Sequence, residues 1–101
     1  MSRLQTSDKY AGAELKKIID QLNQLIELKP GAVKRGEVRK IQGETYECSR
    51  TPADIIVLRY YGDDVSITSE LAMLVELAGY RRPTVVTSGV LTFSAIMPQR
   101  N

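Results

Sequence analysis

Asp54-Ile55-Ile56-Val57-Leu58-Arg59-Tyr60-Tyr61 is the stretch that decides the fold. Ile55 to Leu58 form an unbroken apolar run, and Tyr60-Tyr61 add two aromatic residues. Branched and aromatic side chains suit a pleated strand, and the run is too short for a helix. Continuous apolarity predicts a central strand buried on both faces. Pro52 precedes it, and Gly62-Asp63-Asp64, which is turn chemistry, follows. Successive strand residues face opposite ways, so Tyr60 and Tyr61 divide between core and surface.

Toward the N-terminus, residues 37–42 and 44–50 read as two short strands around Gly43. Alternation puts Tyr46 and Cys48 on one face and Thr45, Glu47 and Ser49 on the other. Residues 8–28 read as an amphipathic helix, with Leu15, Ile18, Ile19, Leu22, Leu25 and Ile26 on one stripe. Ser7 or Asp8 caps its start and Pro30-Gly31 stops it.

Toward the C-terminus, Val65-Ser66-Ile67 suits a short return strand. A second helix is expected from Ser69 to Ala78, capped by Thr68 or Ser69 and ended by Gly79. Leu71, Leu74, Val75, Leu77 and Ala78 form its apolar face. Thr84 to Met97 is rich in β-branched residues and reads as a hairpin about Ser88-Gly89, or as one long strand with a glycine bulge. The expected order is α-β-β-β-(β)-α-β-β. That is an α+β domain over residues 1–101, two helices packed on a mainly antiparallel sheet, with 1–7 and 98–101 flexible.

The chain of 101 residues has one cysteine, no tryptophan and no histidine. Histidine is the usual acid/base group near neutrality and the commonest metal ligand, so most hydrolase triads, zinc sites and proton relays are excluded. Cys48 has no disulfide partner within the chain, which fits a reducing compartment. No apolar run is long enough to span a bilayer or to serve as a signal peptide. A cytoplasmic protein without cofactor or metal, and without membrane contact, is the expectation.

Net charge is only +2, but it is unevenly spread. Residues 29–50 carry six cations against three carboxylates, residues 51–79 one cation against five, and residues 80–101 three cations and no carboxylate. Lys34, Arg35, Arg39 and Lys40, with Arg81 and Arg82, are candidate nucleic-acid or anion-binding residues, because cations neutralise phosphates and the downstream tyrosines Tyr46, Tyr60 and Tyr61 can stack on bases. Without histidine these charge blocks hold nearly constant from about pH 5.5 to about pH 7.5.

Three other patterns carry possible chemistry. Tyr61-Gly62-Asp63-Asp64 resembles the strand–turn–strand aspartate motif of viral RNA polymerases, which implies paired carboxylates holding Mg²⁺ for phosphoryl transfer. That family needs a further aspartate on a neighbouring strand, and residues 37–50 hold none, so a turn is the plainer reading. Gly31 and Gly36 have phosphate-loop spacing, but Glu37-Val38 stands where Lys-Ser or Lys-Thr is needed. Cys48 lacks an activating histidine and reads as a buried small hydrophobe. Among folds, the α-β-β-β-α order resembles double-stranded-RNA-binding domains, yet Ser69-Glu70-Leu71-Ala72 stands where they carry lysines. The fuller order resembles type III secretion chaperones.

The expectation is a non-enzymatic protein that engages another protein as regulator, adaptor or inhibitor, and does so as a homo-oligomer. Tyr60, Tyr61 and Tyr80 supply interface residue types. Val90, Leu91 and Phe93 lie on an apolar C-terminal strand that would template pairing if it were an edge. Nucleic-acid binding is the alternative, and metal-dependent phosphoryl transfer at Asp63 and Asp64 the remote one.

Overall fold

Leu15, Ile18, Ile19, Leu22 and Leu25 are all buried and form the inward stripe of α1 (Ala13–Ile26). The computed structural model describes residue 4 and residues 13–41, 44–62, 66–85 and 89–98, and its architecture is α+β. After α1 come β1 (Lys34–Ile41), β2 (Glu44–Arg50), β3 (Ile55–Tyr60), α2 (Ser66–Leu77), β4 (Thr84–Val85) and β5 (Val90–Ser94). The strands form one antiparallel sheet in the order β1-β2-β3-β5-β4. Among the described residues no helix is long and apolar enough to cross a membrane.

One face of the sheet supplies the core. Tyr46 and Cys48 of β2, Ile56, Leu58 and Tyr60 of β3, and Leu91 and Phe93 of β5 are buried there. α1 packs across β1, β2 and β3, and α2 across β4 and β5. Tyr46 stacks on Tyr60 with ring centroids 5.1 Å apart, and Tyr80 meets Phe93 edge-on at 6.0 Å. Cross-strand aromatic contacts of this kind add to the gain from burial alone.

β3 departs from the expected two-sided burial. Ile56, Leu58 and Tyr60 are buried, Ile55 and Val57 are half-buried, and Arg59 is exposed. Both helices lie on one side, so the other face of β3 has only its neighbouring strands for cover. β5 pairs with β3 on one side and β4 on the other. The C-terminal strand is therefore interior, so the condition on which it would template pairing, an edge position, is not met.

Ser66 and Ile67, expected with Val65 as a short return strand, are helical instead, since α2 begins at Ser66, and Val65 lies outside the described residues. Ile67 lies one turn before buried Leu71 and packs against the core, so the apolar stripe extends back through it. Thr68 is then a buried residue of the first turns rather than a cap. At the far end Gly79, at φ +101°, donates to Glu76 O at 3.0 Å and stops the helix as expected. Leu77, expected to face inward, is instead 76% exposed. Thr84–Val85 and Val90–Ser94 pair antiparallel, as the hairpin requires and one long strand does not. Ser88 and the expected start of α1 at residues 8–12 lie outside the described residues.

Leu4, inside the stretch expected to be flexible, is buried against α1. Its N–H donates to Asn23 Oδ1 and its carbonyl accepts from Asn23 Nδ2, both at 3.1 Å. The buried amide thus satisfies itself on the main chain, as a buried polar group must.

Candidate functional site

Among the described residues β1 is an edge of the sheet, paired to β2 alone. Its register shifts between Lys34 and Glu37, where β1 carries one residue more than β2. Beyond the shift, Glu37 to Ile41 pair regularly with Cys48 to Glu44. Glu37 and Arg39 oppose Cys48 and Tyr46, which sets them on the helix side; Val38 and Lys40 oppose Glu47 and Thr45 on the open side. Val38 is 64% exposed.

Four of the six predicted cations, Lys34, Arg35, Arg39 and Lys40, lie on this edge. Arg81 and Arg82 immediately precede β4, at the opposite edge. Four strand spacings, about 19 Å, separate the two groups, so the fold does not join them into one basic surface. Arg82 Nε is 3.9 Å from Glu76 Oε2, an exposed pair that contributes little.

On β1, Arg39 Nη2 donates to Glu37 Oε2 at 2.8 Å, and Lys34 Nζ lies 3.9 Å from Glu37 Oε1. The Arg39 hydrogen bond, helped by the Lys34 charge, holds the Glu37 carboxyl below its ordinary range. Among the described residues no carboxylate pairs with Arg35 or Lys40. Arg39 and Lys40 also border a groove of about 550 Å³ against α1, lined there by Lys17, Asp20, Gln21 and Gln24.

The predicted interface residues are divided by the core. Tyr60, Tyr80, Leu91 and Phe93 are buried beneath the helices. Val90 is half-buried on the open face, and Tyr61 is 60% exposed. The expected split of Tyr60 and Tyr61 is what the strand produces. Of the three tyrosines suggested as a stacking platform, Tyr46 and Tyr60 are in the core and only Tyr61 reaches solvent.

The open face consists of Thr45, Glu47 and Ser49 of β2, Ile55, Val57 and Arg59 of β3, and Val90, Thr92 and Ser94 of β5, flanked by Val38 and Lys40 of β1. Arg59 Nε lies 3.6 Å from Glu47 Oε1 across β2 and β3. It is a mixed surface of valines, hydroxyls and one ion pair.

Asp63 and Asp64 lie outside the described residues. Among the described residues no three His, Cys, Asp or Glu side chains converge on a metal position. Cys48 is buried, and desolvation pushes its thiol up to about 12, which suppresses the nucleophilic thiolate.

The residue that sequence reasoning misplaced is Arg50, counted in the basic block but 2% exposed. Its Nη1 donates to the carbonyls of Leu25, Ile26 and Leu28, and its Nη2 to Asp54 Oδ1. It neutralises the C-terminal end of α1, where unsatisfied carbonyls favour a cation. The signal was present, since Tyr46, Cys48 and Arg50 alternate onto one face. Comparison with family models, with curated proteins and with solved structures found no match.

Proposed function

We propose that this chain works by binding another protein through the side of the sheet that its helices leave open. The observation that carries the reading is the one-sided placement of α1 and α2. It leaves a continuous face from Val38 through Val57 to Val90 that no described element covers. Sheets of this type expose one face to water, and this face mixes apolar and polar groups as non-obligate interfaces do. The role that follows is that of a regulator, adaptor or inhibitor.

Val38→Glu combined with Tyr61→Glu tests it. Both side chains are exposed, so the fold should survive, which circular dichroism verifies. A partner captured from the native host, retained after nuclease and lost with the double variant, is the expected result. Capture that depends on nucleic acid, or that the variant leaves unchanged, overturns it.

Nucleic-acid binding is the second reading, favoured by Lys34, Arg35, Arg39 and Lys40 on one strand. Retention on an oligonucleotide that falls steeply between about 50 and about 200 mM salt would support it.

A further inference from the structure

Among the described residues β1 combines an unpaired edge with a strongly one-signed charge. Lys34, Arg35, Arg39 and Lys40 stand against Glu37 alone. An edge strand offers a row of main-chain donors and acceptors with no partner. Pairing with a second copy would set one cationic strand beside another, so the charge that blocks self-association selects a partner of opposite sign.

We propose that the β1 edge docks an extended acidic segment of a partner protein, which joins the sheet as a further strand. The inference rests on the protein-binding reading and adds to it a location and a chemistry. Glu37 to Ile41 keep regular register, and five residues span about 17 Å, the length of an ordinary strand. In strand addition the main chain supplies affinity and alternate side chains supply specificity.

Here the two sides of the edge differ. Side chains of the added strand facing the helices meet Glu37 and Arg39, which pair with one another, and Lys17 and Asp20 across the groove. Side chains on the open side meet Val38, which is exposed and apolar, and Lys40, which pairs with no carboxylate among the described residues. The net cationic charge of β1 and the exposed Val38 together favour a segment that combines acidic and apolar residues over about five positions. A phosphodiester could use the cations and the main-chain N–H donors, but has no donor of its own for the carbonyls that alternate with them.

The test uses a fluorescent Glu-Val-Glu-Val-Glu-Val-Glu peptide, its Lys-Val counterpart, and the acidic peptide N-methylated at alternate positions in either register. Each is titrated by anisotropy against the full chain and against an Arg39→Glu, Lys40→Glu variant checked for fold. The expected result is saturable binding of the acidic peptide only, lost in one N-methylated register and weakened at least about tenfold by the charge reversal. Equal binding of both N-methylated forms, or of the Lys-Val peptide, overturns strand addition. So does absence of binding, or self-association of the free chain through β1 seen by mass measurement. A single-stranded oligonucleotide that binds where the acidic peptide does not overturns the proposal in favour of nucleic acid. Loss of the proposal with partner capture still sensitive to Val38→Glu and Tyr61→Glu leaves the broader reading standing, so the two failures are distinguishable.

Discussion

Arg50 Nη2 lies 2.8 Å from Asp54 Oδ1, and the same carboxylate oxygen accepts from Gly31 N at 2.6 Å. One ion pair thus ties β2, the turn before β3 and the loop after α1. Arg50 Nη1 adds the α1 carbonyls of Leu25 at 2.8 Å and Leu28 at 3.0 Å. Removing the guanidinium strands these acceptors in the interior. Arg50→Met is expected to cost about 3–5 kcal/mol in urea unfolding. Arg50→Lys should recover little of it, because a single ammonium cannot span the carbonyls and the carboxylate together. A loss below about 1 kcal/mol for Arg50→Met would show that the contacts matter little.

The same pair sets the acid limb of stability. The Arg50 hydrogen bond, then the Gly31 N–H, hold the Asp54 carboxyl below its ordinary range. A folded-state pKa below the unfolded one gives stability that is full above the ordinary carboxylate range and is lost as pH falls through the folded value. Unfolding midpoints measured from about pH 7 to about pH 2.5 should therefore drop on the acid side. Asp54→Asn should flatten that drop. Asparagine accepts the positive φ of 61° found at Asp54, so the turn is kept. An unchanged acid limb in Asp54→Asn would contradict the assignment. Glu37 is also held low, but on an exposed strand, so salt should erase its share.

Cys48 should be silent toward thiol reagents in the folded protein. Burial pushes its thiol up to about 12, leaving almost no thiolate at mildly alkaline pH. Labelling with a disulfide reagent should be slow in buffer and rapid in denaturant. Comparable rates in both would mean that the strand pair β2–β3 opens readily.

Gly89 and Gly31 form a matched test of backbone strain. Both have positive φ, 88° and 81°. A Cβ on Gly89 would come within 2.5 Å of Tyr60 O, whereas one on Gly31 meets nothing within 4 Å. Gly31→Ala should cost about 1 kcal/mol for the left-handed conformation alone. Gly89→Ala adds a clash beside the Tyr60 N–H to Gly89 O bond of 2.7 Å and should cost about 1–3 kcal/mol more. Equal losses in thermal unfolding would remove the steric argument.

Local rules made most elements legible. The stripe from Leu15 to Leu25 marks α1, and the bounds of β2 at residues 44–50 follow from Gly43 and Pro52. What local rules could not supply was layering. Ile55 and Val57 read as fully buried because a short apolar run carries no sign of which faces are covered. Whether Val90 to Ser94 lie at an edge or inside the sheet was open for the same reason, since pairing partners are set by topology. Val65-Ser66-Ile67 misled because three residues carry no period. The candidate site was legible in part. The β1 cations were found, but their separation from Arg81 and Arg82 depends on strand order, and the burial of Tyr60 and Tyr80 depends on where the helices fall.

The strand order also sets a timetable. β1, β2 and β3 are neighbours both in sequence and in space, joined by short connections. The β3–β5 seam joins Ile55 to Ser94 across the whole of α2. Closing a long loop is slow compared with zipping a meander, so the first three strands should gain order early and the seam late. In native-state hydrogen exchange, the amides of β5 should open with a lower free energy than those linking β2 to β3. Uniform exchange across both would instead make the sheet one cooperative unit.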